Sequence, residues 1–206
     1  MATHTFASLD LPEAKRLADL TGIKHDLESA KELATRFANQ MENEKWDSTL
    51  LDALSVAVLV RYSRAFATGV RERLDSDKLS ILSNEQNTKH ERLRYWRDKH
   101  VAHSVNAFEE SQPVARFCLE RLSEEGVYGI ECNHGRVISL SLSESNSIIE
   151  LSDIFLKYVE SEIEVEKRKL LPLARAIPLE NLLMPERQRA MLVSGEPIDK
   201  PRKKVY

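Results

Sequence analysis

The feature that most constrains this chain is where its helix breakers are missing. Six glycines occur in 206 residues, and five of the seven prolines fall at or after Pro172. A glycine inside a helix costs about 1 kcal/mol and a proline about 3 kcal/mol relative to alanine. The first 170 residues therefore favour long helices joined by short turns, and the chain reads as mainly α. With 42% hydrophobic residues it is long enough for one sizeable core and short for two, which predicts a single domain over 1–171 and a Pro-rich extended tail over 172–206.

Periodicity and capping signals divide the chain further. Asp10, Pro12 and Glu13 resemble a helix start, predicting a short helix to about Leu20. Beyond Gly22, Leu27, Ala30, Ala34, Phe37 and Met41 recur at three- and four-residue intervals and share one face of a second helix. Asp47 or Ser48 caps a third, whose LLDALSVAVLV at 50–60 is apolar on nearly every side and suits a central position. It is expected to end near Gly69 in a basic turn with Arg61, Arg64, Arg71 and Arg73. Ser83 and Gln86 form a capping box opening a helix with a thin apolar stripe of Leu93 and Trp96, continued by His100 and His103. Pro113 is expected to start a short helix with Val114, Phe117, Cys118 and Leu122 inward. The alternating, β-branched segment 127–141 predicts a β-hairpin turning at Asn133-His134-Gly135, with Gly135 left-handed. From about Glu144 to Leu170 the helical period returns.

Several functional classes lose their footing. Cys118 and Cys132 lack CxxC spacing and read as reduced thiols. His134 beside Cys132 has no second ligand pair, so no metal site and no cofactor is expected. No apolar run reaches the roughly 18 residues of a membrane span, and MATHTFASLDLPEAKRL has no signal-peptide core, so the expectation is a soluble cytoplasmic protein without a membrane partner. Walker, dinucleotide-binding and G-x-S-x-G motifs are missing. The acidic and basic run from Glu160 to Lys169 reads as a solvated helix end.

The segment RYWRDKHVAHS at 94–104 stands apart. From Lys89 to His100 five Lys or Arg meet Glu91 and Asp98, a local charge of +3, with Tyr95 and Trp96 interleaved. Cations for phosphates and aromatics for bases suit single-stranded nucleic acid. A solvated helix face with i,i+4 ion pairs would carry a similar charge cluster. The histidines add a function that such a face does not need: imidazole exchanges protons near neutrality, and arginine offers a fixed fork of donors to phosphoryl oxygens. Cleavage of RNA through its own 2′-hydroxyl requires those two abilities and no metal. On an α-helix, however, six residues turn by about 600° and rise by about 9 Å, so Arg97 and His103 of one chain point about 120° apart. A two-fold packing of two such helices brings Arg97 of one chain towards His103 of the other.

Arg97-Asp98-Lys99-His100-Val101-Ala102-His103 resembles the R-x(4–6)-H motif of HEPN domains, with Asp98 at the polar position after the arginine, and is most similar to the abortive-infection branch. The resemblance implies an up-and-down bundle of four to five helices, its core at about 23–110 and 144–170. It also implies a homodimer and metal-independent endoribonuclease activity, as a toxin or phage-defence effector. Arg97, His103 and Asp98 would be catalytic, with Arg94, Trp96, Lys99 and His100 binding RNA, and an antitoxin or other regulatory protein is a further expected partner. The alternative is a non-catalytic helical module that binds RNA or a protein. Some HEPN toxins carry a tyrosine shortly after the histidine, whereas Ser104-Val105-Asn106 follows here.

Overall fold

The computed structural model describes residues 6–69, 71–101, 109–119, 126–136 and 139–188. The chain is mainly helical, with one two-stranded antiparallel sheet. After a 3-10 turn at Pro12–Ala14 come α1 (Lys15–Met41), α2 (Ser48–Arg64), a one-turn α3 (Ser76–Leu79) and α4 (Asn84–Trp96). A π-helical turn at Arg97–Val101 extends α4. Strands β1 (Glu109–Phe117) and β2 (Val127–Arg136) precede the long α5 (Leu142–Arg175) and the short α6 (Leu179–Leu182) and α7 (Pro185–Gln188). No helix of the described residues is long and apolar enough to cross a membrane.

The long helices pack as antiparallel neighbours. Along α1 against α5, Arg16 meets Glu162 and Glu166, Lys24 meets Glu160, Lys31 meets Asp153, and the Ser145 hydroxyl donates to the Ala34 carbonyl at 2.8 Å. One residue number rises as the other falls. The same holds for α4 against α5, where Gln86 and Lys89 reach Glu150 and Arg92 reaches Glu144. Between them lies a core that includes Leu27, Phe37, Leu59, Tyr62, Ile148 and Phe155, all fully buried.

Local signals read from sequence hold at two helix starts. Asp47 accepts from the Thr49 and Leu50 amides at 2.8 and 3.1 Å. Both bonds of the Ser83–Gln86 capping box are present. A second box, Ser141 with Glu144, opens α5, at an S-x-x-E spacing that the sequence also carries.

Other expectations need correction. The break expected near Gly22 does not occur, because α1 runs through it. Arg71 lies across that position, so close that a Cβ there would stand 2.9 Å from Nη1; glycine serves side-chain access rather than a turn. Asp10 does not cap the first turn, whose leading residue Leu11 makes no side-chain capping bond. The helix expected from Pro113 is instead β1, in which Pro113 sits opposite Cys132; proline is tolerated because a two-stranded ladder consists only of edges. The expected turn at Asn133-His134-Gly135 lies inside β2, paired with Gln112, Ser111 and Glu110, so the hairpin is not contained in 127–141. Among the described residues the left-handed glycine is Gly126, φ 58°, immediately before β2. Finally, α5 continues past the expected boundary at 171/172 and holds Pro172 within its last turns, while 179–182 and 185–188 are helical rather than extended.

Nor is α2 central. Its core face carries Leu51, Ser55, Val58, Leu59 and Tyr62, while on the opposite face Leu50 and Ala53 are exposed and Ala57 and Val60 half-buried. An apolar stripe thus remains open to solvent.

Candidate functional site

The end of α2 and the segment after it define one wall of a polar cleft, and the end of α4 with its π turn defines the other. Ser63, Phe66, Ala67, Thr68 and Arg73 face Arg94, Arg97 and Asp98 around a cavity of about 320 Å³. The local fold explains the placement. The Leu74 amide bonds the Ala65 carbonyl at 2.9 Å, folding the extended residues 71–74 back along the α2 terminus. The π turn packs on α2. Such turns are rare and recur at functional sites; here it begins at the arginine of the R-x(4–6)-H motif.

Arg97 is half-exposed and donates to Asp98 at 2.9 Å. That bond orients the guanidinium and leaves its remaining donors for an incoming acceptor. Arg94, one turn earlier, shares the cleft. Lys99 lies over the ring of Tyr95, 5.9 Å from its centroid, and Tyr95 is 52% exposed. Trp96 departs from its expected role: it is 7% exposed and belongs to the hydrophobic core, so its ring is out of reach of a base, and the aromatic available for stacking is Tyr95. The backbone of His100 belongs to the π turn. His103 lies outside the described residues. Because a π turn advances through a smaller angle per residue than an α-helix, the α-helical spacing assumed from the sequence does not hold over Arg97–Val101.

Behind the cleft wall sits His90, a histidine that sequence reasoning passed over. It is fully buried; Tyr62 is 2.8 Å from its Nδ1, and Phe66 meets it edge-on at 4.5 Å. Burial raises the Tyr62 phenol well above its ordinary range, so its hydroxyl stays protonated and shares a hydrogen bond with Nδ1. Burial, reinforced by the Arg94 charge, lowers His90 from 6.5 to about 4. His90 is therefore a neutral support for Phe66 and Tyr62, inaccessible to substrate.

A second cluster borders the first. Asp26 of α1, 2% exposed, is approached by Arg61 and Arg64 at 3.2 Å and by Arg71 at 2.8 Å, and Arg71 also donates to the Arg64 carbonyl. The basic turn anticipated from sequence thus divides: Arg61, Arg64 and Arg71 neutralise a buried carboxylate, and Arg73 turns to the cleft. Ser63, Thr68 and Arg73 were not singled out as site residues, since only the packing of α2 against α4 brings them beside Arg97.

Compared with protein families, with curated protein sequences and with solved structures, the chain finds no match in any of the three. Fold and cleft define an antiparallel helical bundle with an arginine-lined groove at the end of two helices.

Proposed function

We propose that the chain is a metal-independent endoribonuclease of the HEPN class, active as a homodimer in the cytoplasm and serving as a toxin or phage-defence effector. The observation that carries this reading is the shared cleft: Arg97, its partner Asp98 and Arg94 line one polar groove at the start of the π turn. In this reading the RNA 2′-oxygen attacks the adjacent phosphorus as the bond from phosphorus to the 5′-oxygen breaks. Arg97 stabilises the charge that develops on the phosphoryl oxygens. His103 takes the 2′-hydroxyl proton or delivers one to the departing 5′-oxygen, leaving a 2′,3′-cyclic phosphate and a 5′-hydroxyl end. Asp98 orients Arg97, while Arg94, Lys99 and His100 hold the RNA. The solvent-open apolar stripe of α2 supports a two-copy assembly, and an antitoxin or other regulatory protein is the partner that would restrain it.

Wild-type protein, Arg97→Ala and His103→Ala, each incubated with total RNA with and without EDTA, test the reading. The wild type should cut in both conditions, and each variant should lose about a hundredfold or more. If all three cut equally, or none cuts, the chain is a non-catalytic helical module that binds RNA or a protein. Loss on chelation with recovery on adding a divalent ion would replace the metal-free mechanism.

A further inference from the structure

Most arginines packed against this bundle have a carboxylate: Arg16 has Glu162 and Glu166, Arg71 has Asp26, Arg92 has Glu144 and Arg97 has Asp98. Among the described residues Arg73 and Arg94, like Arg175 on α5, have none within 4 Å, and Arg73 and Arg94 line the same cleft. Two uncompensated guanidiniums facing one groove repel each other, and the repulsion is relieved when an anion sits between them. A second, independent observation lies on the α2 wall. The hydroxyls of Thr21, Thr35, Ser55, Thr88 and Ser147 bond back to the carbonyl four residues earlier in their helices. Ser63, also helical and 8% exposed, makes no such bond: its buried Oγ has no hydrogen-bond partner, as is true of Ser152 in the core of α5, but Ser63 lines the cleft. An orphaned buried hydroxyl costs about 1–3 kcal/mol, a cost removed when a rotation of the Ser63 side chain turns its hydroxyl to a ligand oxygen in the cleft.

We propose that this cleft binds a backbone phosphate of single-stranded RNA, held by Arg73 and Arg94 with the Ser63 hydroxyl as a further donor. Arg73 is then a positioning residue outside the R-x(4–6)-H motif. The identity of the anion as RNA phosphate rests on the ribonuclease reading; the existence of an anion site rests on the cleft alone. Three arginines against the single carboxylate of Asp98 leave a local excess of two positive charges, which suits a polyanion. The half-exposed Tyr95 next to Arg94 in the chain offers a stacking surface for a base.

The test uses the full chain and a short single-stranded oligodeoxynucleotide, which lacks the 2′-hydroxyl and so reports binding without cleavage. Arg73→Ala should weaken binding about tenfold and reduce the salt slope by about one. Arg73→Lys should restore part of the loss, and Ser63→Ala should weaken binding about threefold. Arg36→Ala, a change on the exposed face of α1, should bind as the wild type does, and inorganic phosphate should compete with the oligonucleotide in the wild type. Arg73 is exposed, and far-ultraviolet circular dichroism checks that its variants stay folded. Unchanged affinity and salt slope in Arg73→Ala, an equal loss in Arg36→Ala, or a wild type that binds phosphate but not the oligonucleotide would overturn the proposal. Binding that depends on Arg73 in a protein that cuts no RNA upholds the site and rejects the ribonuclease. Unchanged KM for RNA cleavage in Arg73→Ala rejects the site and leaves the ribonuclease standing.

Discussion

His90 shows how a buried titratable residue shapes stability. Its folded value lies at about 4 against 6.5 for the free side chain, so between those values the unfolded chain binds more protons than the folded one. Stability is full above about pH 6.5 and falls as pH drops towards about 4, by about 3 kcal/mol in all. Urea denaturation across that range should show the decline, and His90→Gln, which keeps an acceptor for Tyr62, should flatten it. A decline of the same size in the variant would assign the effect to other groups. Asp26 makes the converse case of a buried charge held by its neighbours. Asp26→Asn leaves three guanidiniums facing a neutral amide and should cost about 2–4 kcal/mol, towards the lower end because Arg61 and Arg64 are well solvated. The shift in urea midpoint measures it.

Within α4, neighbouring aromatics are separated by helical phase alone. Trp96 follows Leu93 and His90 on the buried side, whereas Tyr95 is turned outward. Trp96→Ala should therefore destabilise the bundle by about 3–5 kcal/mol through cavity formation. Tyr95→Ala should leave the melting temperature nearly unchanged and weaken single-stranded RNA binding by about 1–3 kcal/mol. If instead the tryptophan variant melts like the wild type and loses only RNA, the buried assignment of Trp96 is wrong. The apolar residues were legible as one stripe in the sequence; which aromatic stayed wet depended on α5 and α2 covering one side of that stripe.

In the proposed ribonuclease reading two copies complete the site. The open face of α2, with Leu50, Ala53, Ala57 and Val60, is the apolar surface that a second chain would bury in that reading. Leu50→Glu should leave the bundle folded but shift sedimentation towards the monomer and remove RNA cleavage. Mixing Arg97→Ala with His103→Ala chains should restore part of the activity that each lacks alone, because one composite site of the heterodimer keeps both groups. No recovery in verified heterodimers would place both residues of a working site in one chain.

What the sequence determined by itself was local. Capping at Asp47 and Ser83, the buried face of Leu27, Ala30, Ala34 and Phe37, and the helical return before Ile148 all depend on neighbours within four or so residues, and periodicity and hydrogen-bonding side chains suffice to read them. The pairing of Arg97 with Asp98 is likewise local, between adjacent residues, while the motif they belong to was recognised by resemblance. Tertiary structure decided what depends on distant residues. Arg71 lies across Gly22 and lets α1 run on; β1 pairs with β2 and draws Asn133-His134-Gly135 into a ladder rather than a turn. Arg73 and Ser63 reach Arg97 only because α2 and α4 end together. Hydrogen bonds and ion pairs between segments far apart in the chain outweigh local preferences of about 1 kcal/mol per residue, and no short-range pattern records which segments will meet.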